Sequence, residues 1–223
     1  MIQRRILLGT ALSLVLATPC FSQVNAKAAD DFFAAAQQDN SSTIFTQLLR
    51  GFDPNTLNAK GETALLIAVR HGSFKAITAL LASPQTDVET RNKQDESPLM
   101  LAALKGYLDV AKQLIARDAD VNKPGWAPLH YAATKGDLPM IDLLLENDAY
   151  IDAESPNGTT PLMMAAQYGT PQAVKMLLEA GADATIKNGL NLTAIDFANR
   201  VNRADVADSI AKHIRAKQPK GTW

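Results

Sequence analysis

Three histidines, His71, His130 and His213, are the side chains best suited to proton transfer or metal binding near neutral pH. The densest group of reactive residue types surrounds one of them, with Trp126, His130, Tyr131 and Asp137 within a single short span. A histidine oriented by a carboxylate and facing a hydroxyl would suit general acid–base or nucleophilic chemistry. The rest of such a set is missing. No G-x-S-x-G surrounds a serine, and the glycines recur at intervals instead of clustering in one phosphate-cradling loop. No His/Asp/Glu group has the spacing of a metal site. The residues point to no enzyme, metal or cofactor.

What does recur is the span itself. "GETALLIAVRHG" from Gly61, "DESPLMLAALKG" from Asp95, "GWAPLHYAATKG" from Gly125, "GTTPLMMAAQYG" from Gly158 and "NLTAIDFANRVN" from Asn191 align on Leu65, Leu99, Leu129, Leu162 and Ile195. These anchors lie 34, 30, 33 and 33 residues apart, a period that signals stacked units. Thr63, Ser97 and Thr160 stand where a hydroxyl caps a helix start, and Pro98, Pro128 and Pro161 follow at its first position. Gly72, Gly106, Gly136 and Gly169 are expected to end that helix in a left-handed conformation. Ser73, Asp137 and Thr170 are then expected to cap a second helix, whose buried face carries pairs such as Leu144–Leu145. The alanine pairs 102–103, 132–133 and 165–166 allow neighbouring first helices to approach closely.

This pattern resembles the ankyrin repeat, "G-x-T-P-L-H-x-A-A-x-x-G" followed by a leucine-rich helix and "G-A-D". The resemblance implies an all-α solenoid of about six helix-turn-helix units with short β-hairpin fingers. The units fall at about 28–57, 58–91, 92–122, 123–155, 156–187 and 188–216 within a 27–216 repeat domain. The first carries helices at Asp31–Gln38 and near Ser42–Leu49, the last has Asn202 in place of the glycine, and 217–223 forms a flexible tail. His130 falls on the histidine of the motif, where the resemblance implies a structural hydrogen bond. Ala127 replaces the capping hydroxyl of its unit, and the finger before it is three residues short.

The first 26 residues have another character. Arg4 and Arg5, the apolar run Ile6–Ala17 and a small-residue exit at Val24–Ala26 are expected to form a secretory signal peptide. The run is shorter than a membrane span, which needs roughly 20 residues. Cys20, the one cysteine, would leave with it, so the mature chain would hold no disulfide. A formal net charge of -1 gives no case for nucleic acid, and 47% hydrophobic residues suffice for a packed core.

In the family, partners are bound by the finger tips and the exposed edge of the first helices, which together form a concave face. Carried over by position, the candidate contacts are Lys60, Glu62 and Glu96 on the fingers and Arg70 and Gln167 on the helices. His71, Lys105, Lys135 and Tyr168 form a row along the stack, and Trp126 lies at the base of the short finger. Trp126 suits either a partner contact or a local role covering the missing residues. The half-basic row suits either a protein partner with an acidic surface or a solvated face. The expected function is therefore non-enzymatic protein binding in the periplasm by a monomer with no stable membrane insertion. The alternatives are a secreted effector acting on a host protein and a hydrolase, which lacks a nucleophile–base set.

Overall fold

The computed structural model describes residues 19–217; residues 1–18 of the expected leader and 218–223 of the expected tail lie outside it. The twelve helices of the described residues form six antiparallel pairs. These are α1 (Pro19–Gln37) with α2 (Ser41–Leu49), α3 (Ala64–His71) with α4 (Phe74–Leu81), and α5 (Pro98–Lys105) with α6 (Leu108–Ile115). They continue as α7 (Pro128–Lys135) with α8 (Leu138–Glu146), α9 (Pro161–Gln167) with α10 (Pro171–Glu179), and α11 (Ala194–Arg200) with α12 (Ala204–Lys217). Odd-numbered helices stack on one another in one layer and even-numbered helices in a second, so the chain is an all-α solenoid.

Local chemistry accounts for the first layer. Thr63, Ser97, Thr160 and Thr193 are extended and accept the backbone N–H three residues on, which starts α3, α5, α9 and α11. Gly72, Gly106 and Gly136 close their helices at φ 71, 76 and 69°, where a Cβ would be strained. Leu65, Leu99, Leu129 and Leu162 and the alanine pairs are all buried. Each such leucine contributes about 1.5–3 kcal/mol over exposure. The first helices pack on those of the adjoining units as well as on their own partners, so the interfaces hold the stack together.

Four expectations need correction. Gly169 is not left-handed. A Cβ there would meet the Ala133 carbonyl oxygen at 2.4 Å and Ala165 Cα at 3.0 Å, so glycine is needed for close approach to α7. Arg203 of the last unit donates to the Ala165 and Ala166 carbonyls at 3.2 and 3.0 Å, satisfying the end of α9. Asp137 and Thr170 cap α8 and α10, but Ser73 does not cap α4. Its hydroxyl donates to the Gln37 carbonyl, and Asp39 of the preceding unit accepts the Ala76 N–H at 2.9 Å instead.

The fingers are tight turns, and no strand forms among the described residues. The N–H groups of Asn58, Asn92, Ser155 and Asn188 donate to the carbonyls of Glu62, Glu96, Thr159 and Leu192. The same four side chains accept further N–H groups within their own turns, which leaves little for a ladder between strands. In the short finger Lys123 stands in for the missing residue: its buried ammonium bonds the Asp95 carboxylate and carbonyl of the preceding finger.

Finally, α1 begins at Pro19 instead of Asp31, because no glycine or further proline interrupts its alanine-rich sequence. It runs through the expected cut after Ala26. Helix α2 meets it at Ala28, whose carbonyl accepts Gln47 Nε2, and Phe32, Ala35 and Ala36 are its buried face.

Candidate partner-binding face

The C-terminal ends of α3, α5, α7 and α9 carry His71, Lys105, Lys135 and Tyr168 out of the packed interior, and all four are exposed. Lys135 Nζ donates to the Lys105 carbonyl at 2.6 Å. It thus lies over the end of the neighbouring helix, where the backbone dipole favours a cation. Among the described residues neither lysine is in an ion pair.

One position inward of His71, Arg70 is shared between two carboxylates. Arg70 Nη2 is 2.5 Å from Glu62 Oε1 and 4.0 Å from Glu96 Oε2, and Asn92 Nδ2 donates to Glu96 at 2.7 Å. Three of the expected contact residues therefore form one cluster, Arg70 of α3 with Glu62 and Glu96 of adjoining fingers. Lys60 is exposed at a finger tip, and Gln167 is half-buried beside Tyr168.

Trp126 is half-buried and turned back onto its own unit. Its ring lies edge-on to those of His130 and Tyr131, with centroids 5.2 and 6.5 Å away. The Tyr131 phenol is pushed up to about 12, first by burial and then by the Glu96 and Asp95 charges. It therefore remains a neutral hydroxyl. Two residues of this face escaped the sequence reading: Tyr131 and Met164 are half-open, four residues before Lys135 and Tyr168. The i, i+4 relation of helical neighbours was the available signal. In earlier units the same position is closed, by Ile67 and Leu101.

His130 has neither ring nitrogen free. Nδ1 accepts the Ala127 N–H at 3.1 Å, and Nε2 donates to the Thr159 carbonyl of the next unit at 2.9 Å. Burial pushes its pKa below the ordinary histidine range, against the opposing pull of these backbone bonds. Met100 and Met163 occupy the same place, their sulfurs accepting the Ser97 and Thr160 N–H groups. His71 and His213 lie on α3 and α12, so the three histidines are not brought together. Among the described residues no three His, Cys, Asp or Glu side chains converge on a metal site, and no helix is long and apolar enough to cross a membrane.

Comparison with known proteins agrees with this architecture. The family described as "Ankyrin repeats (3 copies)" matches residues 32–124 and 118–188. The B-cell lymphoma 3 protein homolog of Mus musculus is 31% identical over 163 residues, 70% of this chain and 36% of that protein. The chain spans about a third or less of the length of such curated relatives. Among solved structures, a chain from a complex of a predatory endopeptidase of Bdellovibrio bacteriovorus with an immunity protein is 27% identical. It superposes at a TM-score of 0.71 over 82% of this chain and 97% of its own. The ankyrin repeat domain of human ASB11 is 25% identical at a TM-score of 0.73, covering 82% of each chain. Repeats of this kind generally mediate protein–protein interaction, and their carriers are typically non-enzymatic. The chain belongs to the ankyrin-repeat family.

Proposed function

We propose that this chain acts as a monomer, without catalysis, by holding a partner protein on the face lined by the first helices and the fingers. The observation that carries the reading is the exposed row His71, Lys105, Lys135 and Tyr168, two members of which have no ion pair, mounted on a packed helical layer. A preformed face of this kind loses little entropy on docking. The unneutralised lysines favour an acidic partner surface. The basic and apolar start of the sequence supports a meeting in the periplasm. The Bdellovibrio match supports a role as one member of a two-protein complex.

Affinity capture and crosslinking of the tagged mature chain from its own compartment tests this. Trp126→Ala with Lys135→Glu should lose most of the captured partner while helical content stays native. Unchanged capture by that variant, or a partner bound by the outer helices, would refute the assignment. Recovery of the chain from growth medium alone would favour a secreted effector.

A further inference from the structure

We infer that protonation of His130 unclasps the finger that carries Trp126, so that the face holds its partner at neutral pH and releases it in mild acid. The inference concerns the regulation of the face and rests on its reading as the partner site.

The build of this finger is the first observation. In the other fingers the side chains of Asn58, Asn92, Ser155 and Asn188 accept backbone N–H groups of their own turn. Lys123 takes that place in the short finger, and an ammonium has no lone pair to offer an N–H. Its bonds run to Asp95 of the preceding finger instead. Among the described residues, the side-chain hydrogen bond that ties the short finger to its own helix runs from the Ala127 N–H to His130 Nδ1, at 3.1 Å. Trp126 is the residue before that N–H, and its ring rests edge-on against the imidazole.

The nature of the acceptor is the second. In other units the corresponding N–H is taken by the sulfurs of Met100 and Met163 and by the Asp196 carboxylate. A thioether does not titrate, and a carboxylate keeps its charge until well below neutral pH. Imidazole alone of these groups titrates in mild acid. The neutral ring accepts at Nδ1 and donates at Nε2, whereas the imidazolium donates at both. Its Nδ1–H would face the Ala127 N–H with no acceptor between them.

Nothing nearby compensates the new charge. The groups that act on the ring are backbone ones, of Ala127 in its own unit and of Ala153 and Thr159 in the next. Neither Lys105, Lys135 and Asp137 on α5, α7 and α8 nor Asp95, Glu96, Lys123 and Glu154 on the fingers perturbs it. A buried imidazolium without a counter-ion is costly, and swinging the finger outward lets water reach it. Burial sets the opening below the ordinary histidine value of about 6.5. If the closed finger is the binding-competent state, affinity falls about tenfold for each pH unit below the folded value.

The chain has two tryptophans, so Trp223→Phe leaves Trp126 as the single emitter. Acrylamide quenching of the purified mature chain from pH 7.5 to 5 reads exposure of the indole apart from direct quenching by an imidazolium. Quenching should rise through a one-proton transition below pH 6.5 while circular dichroism stays unchanged. His130→Met and His130→Gln, which offer the same N–H an acceptor at every pH, should show no transition. Both should also retain at pH 5 a captured partner that the wild type releases. A flat profile, a transition that survives both substitutions, loss of helicity along with it, or a partner held by the wild type at pH 5 would overturn the inference. The quenching reads the finger with no partner present, whereas unaffected capture by the Trp126→Ala, Lys135→Glu variant at pH 7.5 removes the parent reading whatever the finger does.

Discussion

Ala127→Thr should stabilise this protein. Ala127 is extended at φ -108°, ψ 160°, in the same region as Thr63, Ser97 and Thr160, and it is buried to the same degree. Those three residues each accept the N–H three positions on, whereas α7 has no side-chain cap. A threonine hydroxyl at 127 would accept the His130 N–H, which now bonds the Ala127 carbonyl at 3.0 Å. An N-cap of this type contributes about 1 kcal/mol. Two extra heavy atoms in a buried site cost about 1–3 kcal/mol where there is no room. Three equivalent sites already hold a hydroxyl in the same surroundings, so the cap should win. In a chain of this size 1 kcal/mol corresponds to a rise of roughly 2–4 °C in melting temperature. Thermal unfolding followed by circular dichroism measures it. A fall would show that the site has closed around the missing hydroxyl, and an unchanged value would show that the Ala127 carbonyl already satisfies the His130 N–H as well as a hydroxyl would.

Gly169→Ala should cost about 1–3 kcal/mol in urea unfolding, because its Cβ meets the Ala133 carbonyl at 2.4 Å; a neutral result would show that α9 can recede from α7. His130→Met, the residue already present in two neighbouring units, should flatten the pH dependence of stability between pH 7.5 and 5. The His130 pKa is lowered on folding, so its contribution is full above about 6.5 and is lost as pH falls from there through the folded value. Equal slopes for variant and wild type would contradict this. Asp95→Asn should lower the melting temperature at pH 7, since it leaves the buried Lys123 ammonium without its carboxylate. The bond to Lys123 depresses the Asp95 pKa, so its contribution is full above the unfolded carboxylate value and disappears as pH falls through the lower folded one. The gap between wild type and variant should therefore close below about pH 4.

Most of the architecture was legible because its causes are local. A hydroxyl at Thr63 or Ser97, a proline at 98 or 161 and a glycine at 72 or 106 each act on the helix beside them. What escaped has a cause in another unit. Gly169 carries the same letter as Gly72, yet it answers to a carbonyl on α7 and not to its own φ. Asp39 and Arg203 act across 37 residues or more, a separation at which no spacing rule operates. The anchoring role of Lys123 was not legible, because the three missing residues leave no letter to show what its side chain replaces. The candidate face divides in the same way. The row that ends in Tyr168 could be counted out from the glycines, whereas the sharing of Arg70 between Glu62 and Glu96 depends on two fingers lying side by side.

Asp39 holding the start of α4, Ser73 reaching back to Gln37, His130 bound to Thr159 and Arg203 closing α9 have a joint consequence for how the chain can be divided. The module that the sequence repeats is not the module that coheres. A cut at the boundary before residue 58 or after 187 severs donors from acceptors and leaves helix ends with unmet backbone groups on the retained side. Each repeat is completed by groups of the one beside it: the turn of the first unit holds α4 of the second, and the turn of the last closes α9 of the fifth. A shortened version of this protein that stays folded should therefore begin and end inside a repeat, carrying with it the single helix that completes its neighbour.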